Sequence, residues 1–127
     1  AFQKGLGCVH SLSHSLGGVD PRLHHGTLNA MFLPAVVEFN SVSESMQKEK
    51  RLERMARAMG LASGDDVADA LRDMNARLQL PTGLAAMGVV STSFEKIIQG
   101  ALADHCHKTN PRIALAGEYE DILNKSM

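Results

Sequence analysis

Three imidazoles are spaced so that they can meet at one point. The stretch Gly5-Leu-Gly-Cys-Val-His10-Ser-Leu-Ser-His14-Ser-Leu-Gly17-Gly18 is followed within a few residues by His24-His25-Gly26. On a helix, side chains at i and i+4 leave the same face, so His10 and His14 form one pair. A glycine pair ends such a helix and lets the next segment bring one of His24 and His25 back toward them. Neutral imidazoles offer a lone pair without adding charge, which suits a divalent transition metal such as zinc or iron. A metal site is the first expectation. Two other combinations do worse. His105 and His107 flank Cys106, but on one helix i and i+2 point about 200° apart and cannot share an ion. Asp20-Pro-Arg-Leu-His24 has the spacing of a helical ligand pair, yet its proline places it in a turn.

The elements that must position these histidines read as helices throughout, because nearly every segment longer than ten residues has apolar positions at 3–4 spacing. The expected first helix runs from about Phe2 to Leu16 and stops at Gly17-Gly18. The second, about Gly26 to Phe39, contains Pro34, which removes one backbone hydrogen bond. Glu44 to Met59 reads as one helix with Leu52, Met55, Ala56 and Met59 buried and Gly60 as its left-handed cap. Ser63-Gly-Asp-Asp66 is a capping box that opens a helix buried along Val67, Ala70, Leu71, Met74 and Leu78. Thr92-Ser-Phe-Glu95 is a second such box, and its helix carries His105 and stops before Asn110-Pro111. Glu118 to Ser126 closes the chain. The sum is an all-α fold of about six helices in a single domain spanning residues 1–127.

Composition narrows the function. Thirteen basic and fourteen acidic residues leave a formal charge of −1, which gives no footprint for nucleic acid or anionic lipid. The run Ala30-Met-Phe-Leu-Pro-Ala-Val-Val37 is far shorter than the ~20 residues of a membrane span. Cys8 and Cys106 form no metal or disulfide spacing and read as buried thiols, so the expected setting is a reducing cytoplasm. Gly83-Leu-Ala-Ala-Met-Gly88 follows no strand and is not a dinucleotide fingerprint. Asn110-Pro111-Arg112 reads as a turn whose arginine caps helix carbonyls, and Asn29 as a buried amide bonded to nearby backbone.

The pattern Gly-Leu-Gly-x-x-His-x-x-x-His-x-x-Gly, then His-Gly-x-x-Asn-Ala-x-x-Leu-Pro-x-x-x-x-Phe-Asn, read from Gly5 to Asn40, resembles the iron-containing alcohol dehydrogenases. Leu80-Pro81, Thr109-Asn110-Pro111-Arg112 and Glu120-Asp121-Ile122-Leu123 fall where similar pieces lie in that family. The resemblance implies the helical metal-binding portion of an NAD(P)-dependent enzyme acting on a small alcohol or aldehyde, with Fe²⁺ or sometimes Zn²⁺ beside the nicotinamide. It implies metal ligation by His10 and by His25, preferred over His24 because Gly26 follows it. It implies that His14 lies near the nicotinamide and substrate and assists proton transfer.

The family's other two ligands, from an Asp-x-x-x-His, and its nucleotide-binding turn would precede Ala1, so this chain is expected to be a fragment that is inactive alone. The competing expectation is a stand-alone helical module with a vestigial histidine cluster. Either way, apolar faces on the first two helices, Met31-Phe32-Leu33 above all, would favour a homo-oligomer such as a dimer.

Overall fold

A computed structural model describes residues 6–127, which form seven α-helices joined by short 3₁₀ turns, with no strand among the described residues. The all-α expectation holds, with one helix more than expected.

Helix α1 spans Cys8–Val19 and buries Cys8, Ser11, Leu12 and Leu16, a helical stripe turned toward the core. The expected start at Phe2 lies outside the described residues. Leu6 and Gly7 are not helical. Gly7 precedes the first turn because a Cβ there would meet Asn110 Oδ1 at 2.5 Å. That oxygen accepts the Cys8 N–H at 3.1 Å, so a side chain 102 residues away caps the helix. The glycine pair does not stop α1. Gly17 and Gly18 stay helical, and the helix ends at Asp20, which turns to extended backbone while its N–H still reaches the Leu16 carbonyl. A glycine permits a left-handed stop but does not compel one.

Helix α2, His25–Ser41, is slightly longer than expected and carries Pro34 inside it. Proline leaves the carbonyl of residue 30 without its helical donor. Asn75 Nδ2 supplies the missing donor, 2.9 Å from the Ala30 oxygen. Met31 and Phe32 are buried in the chain's own core, which corrects their expected place at an interface; Leu33 is 36% exposed.

The predicted helix Glu44–Met59 is two helices, α3 (Glu44–Lys48) and α4 (Arg51–Met59). Lys50 breaks it, with φ 47° in the left-handed region. One continuous helix would set Glu49 against Glu53 and Lys50 against Arg54, like charges at i, i+4. In the break Arg51 instead bonds Glu49 at 3.0 Å. Gly60 takes the left-handed cap as expected, φ 74°. The Ser63 capping box also forms. It opens a 3₁₀ turn leading into α5, Val67–Arg77. Met55, Met59, Met74 and Leu78 are exposed rather than buried, because α4 and α5 meet over a small cluster of Val37, Ala56, Val67, Ala68 and Leu71.

The second predicted box does not form. Ser93 Oγ bonds back to the Val90 carbonyl at 2.6 Å, and α6, Phe94–Ala103, grows out of a 3₁₀ turn. Helix α6 also ends earlier than expected, and His105–Thr109 is a separate 3₁₀ helix. Its crossing with α1 is close: a Cβ on Gly100 would lie 2.2 Å from Ser15 Oγ, which bonds the Ile97 carbonyl at 2.7 Å. Helix α7, Ala116–Lys125, completes the main core with Tyr119, Ile122 and Leu123, packed with Leu12, Leu16, Phe32 and Ile97. Arg112 behaves as expected: it donates to the Phe39 carbonyl at the end of α2 at 3.2 Å, lies 4.2 Å over the Phe39 ring and pairs with Glu118.

Asn110 ties these pieces together, since its amide also donates to Asn40 Oδ1 and to the Arg112 carbonyl, both at 2.6 Å. Asn110→Ala strands a buried amide and two acceptors. It is expected to cost about 2–3 kcal/mol, seen as a lower midpoint in urea unfolding; a loss under about 0.5 kcal/mol would show that the cap carries no weight.

Candidate metal centre

Helix α1 presents His10 and His14, and the first residue of α2 presents His25. The ring centroids are 5.8 Å apart for His10 and His14, 5.5 Å for His10 and His25, and 5.2 Å for His14 and His25. Metal–nitrogen bonds of ~2.0–2.1 Å require two rings on one ion to have centroids within roughly 6 Å. His24 is left out. It is the N-cap residue of α2, and its ring folds over Gly26, where a Cβ would meet His24 Cε1 at 3.1 Å.

Burial holds His10 below the ordinary imidazole pKa, and the neighbouring His25 and His14 push it further down. The ring is therefore neutral and offers its lone pair at neutral pH. Asn29, one turn along α2, corrects the expectation of a backbone partner. Its amide nitrogen lies 3.1 Å from His25 Nε2, while its buried Oδ1 has no partner among the described residues. Two imidazoles with an unsatisfied polar atom beside them are a donor set that a divalent ion with its own bound water or hydroxyl would fit.

The structure adds a residue that sequence reasoning missed. Asp104 Oδ2 lies 3.0 Å from His14 Nδ1, and Asp104 Oδ1 accepts the Cys106 N–H at 2.7 Å. The potential ligand atoms of His14, Asp104 and Cys106 lie within 4.8 Å of one another, as a hydrogen-bonded trio. Periodicity runs α6 straight through Asp104 and hides it; an aspartate that starts a new turn is an N-cap, and that is the signal available in the sequence. Burial of Asp104 works against its charge, but the Cys106 N–H and His14 outweigh it and hold the carboxyl below its usual range.

His105 and His107 do diverge, on a 3₁₀ turn rather than on an α-helix. His105 is exposed and stacks on His14 at 6.2 Å, whereas His107 Nδ1 lies 3.0 Å from the buried Tyr119 hydroxyl. Both cysteines are free and buried as expected. Burial pushes the Cys106 thiol up to about 11, with Asp104 adding to the effect, and raises Cys8 as well. Neither offers a thiolate at neutral pH. No helix among the described residues is long and apolar enough to cross a membrane.

Residues 2–127 match the family model described as "Fe-containing alcohol dehydrogenase family, C-terminal". The chain is 56% identical over 131 residues to 4-hydroxybutyrate dehydrogenase of Cupriavidus necator, an alignment covering all of this chain and 34% of that protein. It is 32% identical to the NAD-dependent methanol dehydrogenase of Bacillus methanolicus, over 97% of this chain and 33% of that one. Among solved structures, 1,3-propanediol oxidoreductase superposes with a TM-score of 0.85 at 27% identity, over 96% of this chain and 33% of the other. The alcohol dehydrogenase of Oenococcus oeni superposes with a TM-score of 0.84 at 26% identity over the same shares. The chain thus spans about a third of the length of the relatives it matches. By the match over almost its whole length and by its helical architecture, the chain belongs to the Fe-containing alcohol dehydrogenase family, in the C-terminal region of those enzymes.

Proposed function

We propose that this chain is the metal-holding helical part of an NAD(P)-dependent dehydrogenase of small alcohols, with His10 and His25 as two of the metal ligands. The observation that carries the reading is the 5.5 Å approach of these two rings from two different helices. A bound Fe²⁺ or Zn²⁺ supplies Lewis-acid polarisation of the substrate's alcohol or carbonyl oxygen. The chain's own part is to bring the His10 and His25 imidazoles together from two helices and to place His14 beside them. In alcohol oxidation a hydride leaves the carbinol carbon for the nicotinamide and the hydroxyl proton must reach solvent. His14, 36% exposed and anchored at one nitrogen, is suited to carry that proton.

Two imidazoles are fewer protein ligands than a catalytic metal site normally has. The nucleotide-binding turn and the remaining ligands are accordingly assigned to the two thirds of the relatives that lie outside the match, and the 127 residues alone are proposed to be inactive. The cleft between α1 and α2, about 560 Å³ and lined by Leu6, Val9, Leu33, Val36 and Val37, is where that remainder would pack. On the same reading, a second copy of this chain covers the cleft when nothing else does.

The test is complementation. The chain should give no NAD⁺ or NADP⁺ reduction with 4-hydroxybutyrate, methanol or 1,3-propanediol by itself. It should give metal-dependent reduction when co-expressed with the preceding two thirds of the 4-hydroxybutyrate dehydrogenase. Turnover by the 127 residues alone would overturn the inactivity, and failure of a folded, metal-loaded pair to turn over any of the three alcohols would overturn the enzymatic reading.

A further inference from the structure

His14 and Asp104 come from segments 90 residues apart, and the bond between them is more constrained than an ordinary surface pair. The two carboxylate oxygens have separate tasks. Oδ1 accepts the Cys106 N–H and so caps the 3₁₀ helix His105–Thr109, while Oδ2 meets His14 Nδ1. The carboxylate is 15% exposed, and Cys106, which anchors it, is buried. It cannot swing toward solvent without giving up the cap. The capped turn is in turn pinned to the entrance of α1, since Thr109 Oγ1 donates to the Leu6 carbonyl.

An ionised carboxylate only accepts hydrogen bonds, so the proton in this pair must sit on the imidazole. We infer that Asp104 is a positioning residue that holds His14 with its proton on Nδ1, leaving the Nε2 lone pair as the site that takes up the substrate's proton. The role given to Nε2 rests on the dehydrogenase reading above; the tautomer does not. Among the described residues Nε2 has no hydrogen-bonding partner. His105, stacked outside His14, is 83% exposed; its Nε2 lies 3.4 Å from Cys106 Sγ, and its Nδ1 lies 3.7 Å from Asp104 Oδ1, beyond the 3.0 Å at which Oδ2 holds His14.

The isosteric substitution Asp104→Asn makes the inference sharp. An amide has one acceptor oxygen, and asparagine is among the best N-caps, so that oxygen stays with the Cys106 N–H. The NH₂ group then faces His14 and forces Nδ1 to accept, which inverts the tautomer. The experiment is long-range ¹H–¹⁵N correlation on the full, metal-free chain with ¹⁵N-histidine at about pH 8, above the ordinary imidazole range. The His14 signal is assigned by its loss in His14→Gln.

Wild type is expected to show Nδ1–H at His14, and Asp104→Asn to shift the tautomer ratio roughly tenfold or more toward Nε2–H, with the His107 signal and the helical circular dichroism unchanged. Asp104→Ser, which keeps a capping oxygen too short to hold His14, should release the ring in the same direction. Nε2–H at His14 in wild type, or an unchanged ratio in a folded Asp104→Asn, overturns the inference; should that variant not fold, the wild-type spectrum and Asp104→Ser decide. Zn²⁺ binding by the same samples reports on His10 and His25 separately. Binding without the Nδ1–H tautomer sinks only the role of Asp104, and the tautomer without binding sinks only the metal reading.

Discussion

Replacing His25 with alanine is expected to weaken binding of Zn²⁺ or Fe²⁺ to the chain by about 100-fold or more, and replacing His10 to do the same. Loss of an outer partner of a metal ligand already costs 10–100-fold, and a ligand itself should cost at least as much. The neighbouring His24→Ala is expected to leave affinity within about twofold, because the His24 ring lies over Gly26 and outside the cluster. Neither loss should disturb the fold, since His10 is only partly buried and His25 is exposed. The measurement is competition against a chromophoric chelator, with circular dichroism as the control. Equal losses for His24 and His25, or undiminished binding without His10, would remove the proposed ligand pair.

The second large effect concerns the core that holds α1 and α2 together. Phe32 has no exposed surface, and Phe32→Ala is expected to cost about 3–5 kcal/mol through lost transfer energy and the cavity left behind. That is a large part of the ~5–15 kcal/mol that stabilises a domain. The adjacent residue should behave differently. Leu33 lines the α1–α2 cleft and is 36% exposed. Leu33→Asp is therefore expected to change stability by less than about 1 kcal/mol while shifting a self-associated chain to monomer. Urea unfolding and sedimentation of the two variants separate these outcomes. A Phe32→Ala loss below about 1 kcal/mol would show that the core forms elsewhere, and a wild-type chain that sediments as a monomer at micromolar concentration would remove self-association through this cleft.

Local chemistry makes much of the fold legible in the order of the residues. Helical periodicity announces the all-α class because a 3.6-residue period is a property of each segment by itself. The Ser63 capping box and the Gly60 cap are readable for the same reason: each needs only its own three or four residues. Arg112 is readable as a carbonyl cap, although not which carbonyl it reaches. Local signals mislead where two backbone states differ by little. Gly17-Gly18 could stop a helix and does not, Thr92-Ser-Phe-Glu95 could form a box and does not, and Lys50 breaks a helix that periodicity would continue.

Residues within a few turns of one another therefore carry the helical class, the family through its histidine-rich signature, and the pair His10 and His14 on one face. Packing between distant segments settles the rest. It brings the His25 ring to 5.5 Å from His10 and leaves the His24 ring over Gly26, because that depends on which side of the first turn of α2 faces α1. It brings Asp104 to His14 across 90 residues and Asn110 to the start of α1 across 102. It also separates Phe32 from Leu33, neighbours of similar hydrophobicity, into core and surface. Burial and long-range hydrogen bonds depend on how whole helices pack, and no window of a few residues contains that information.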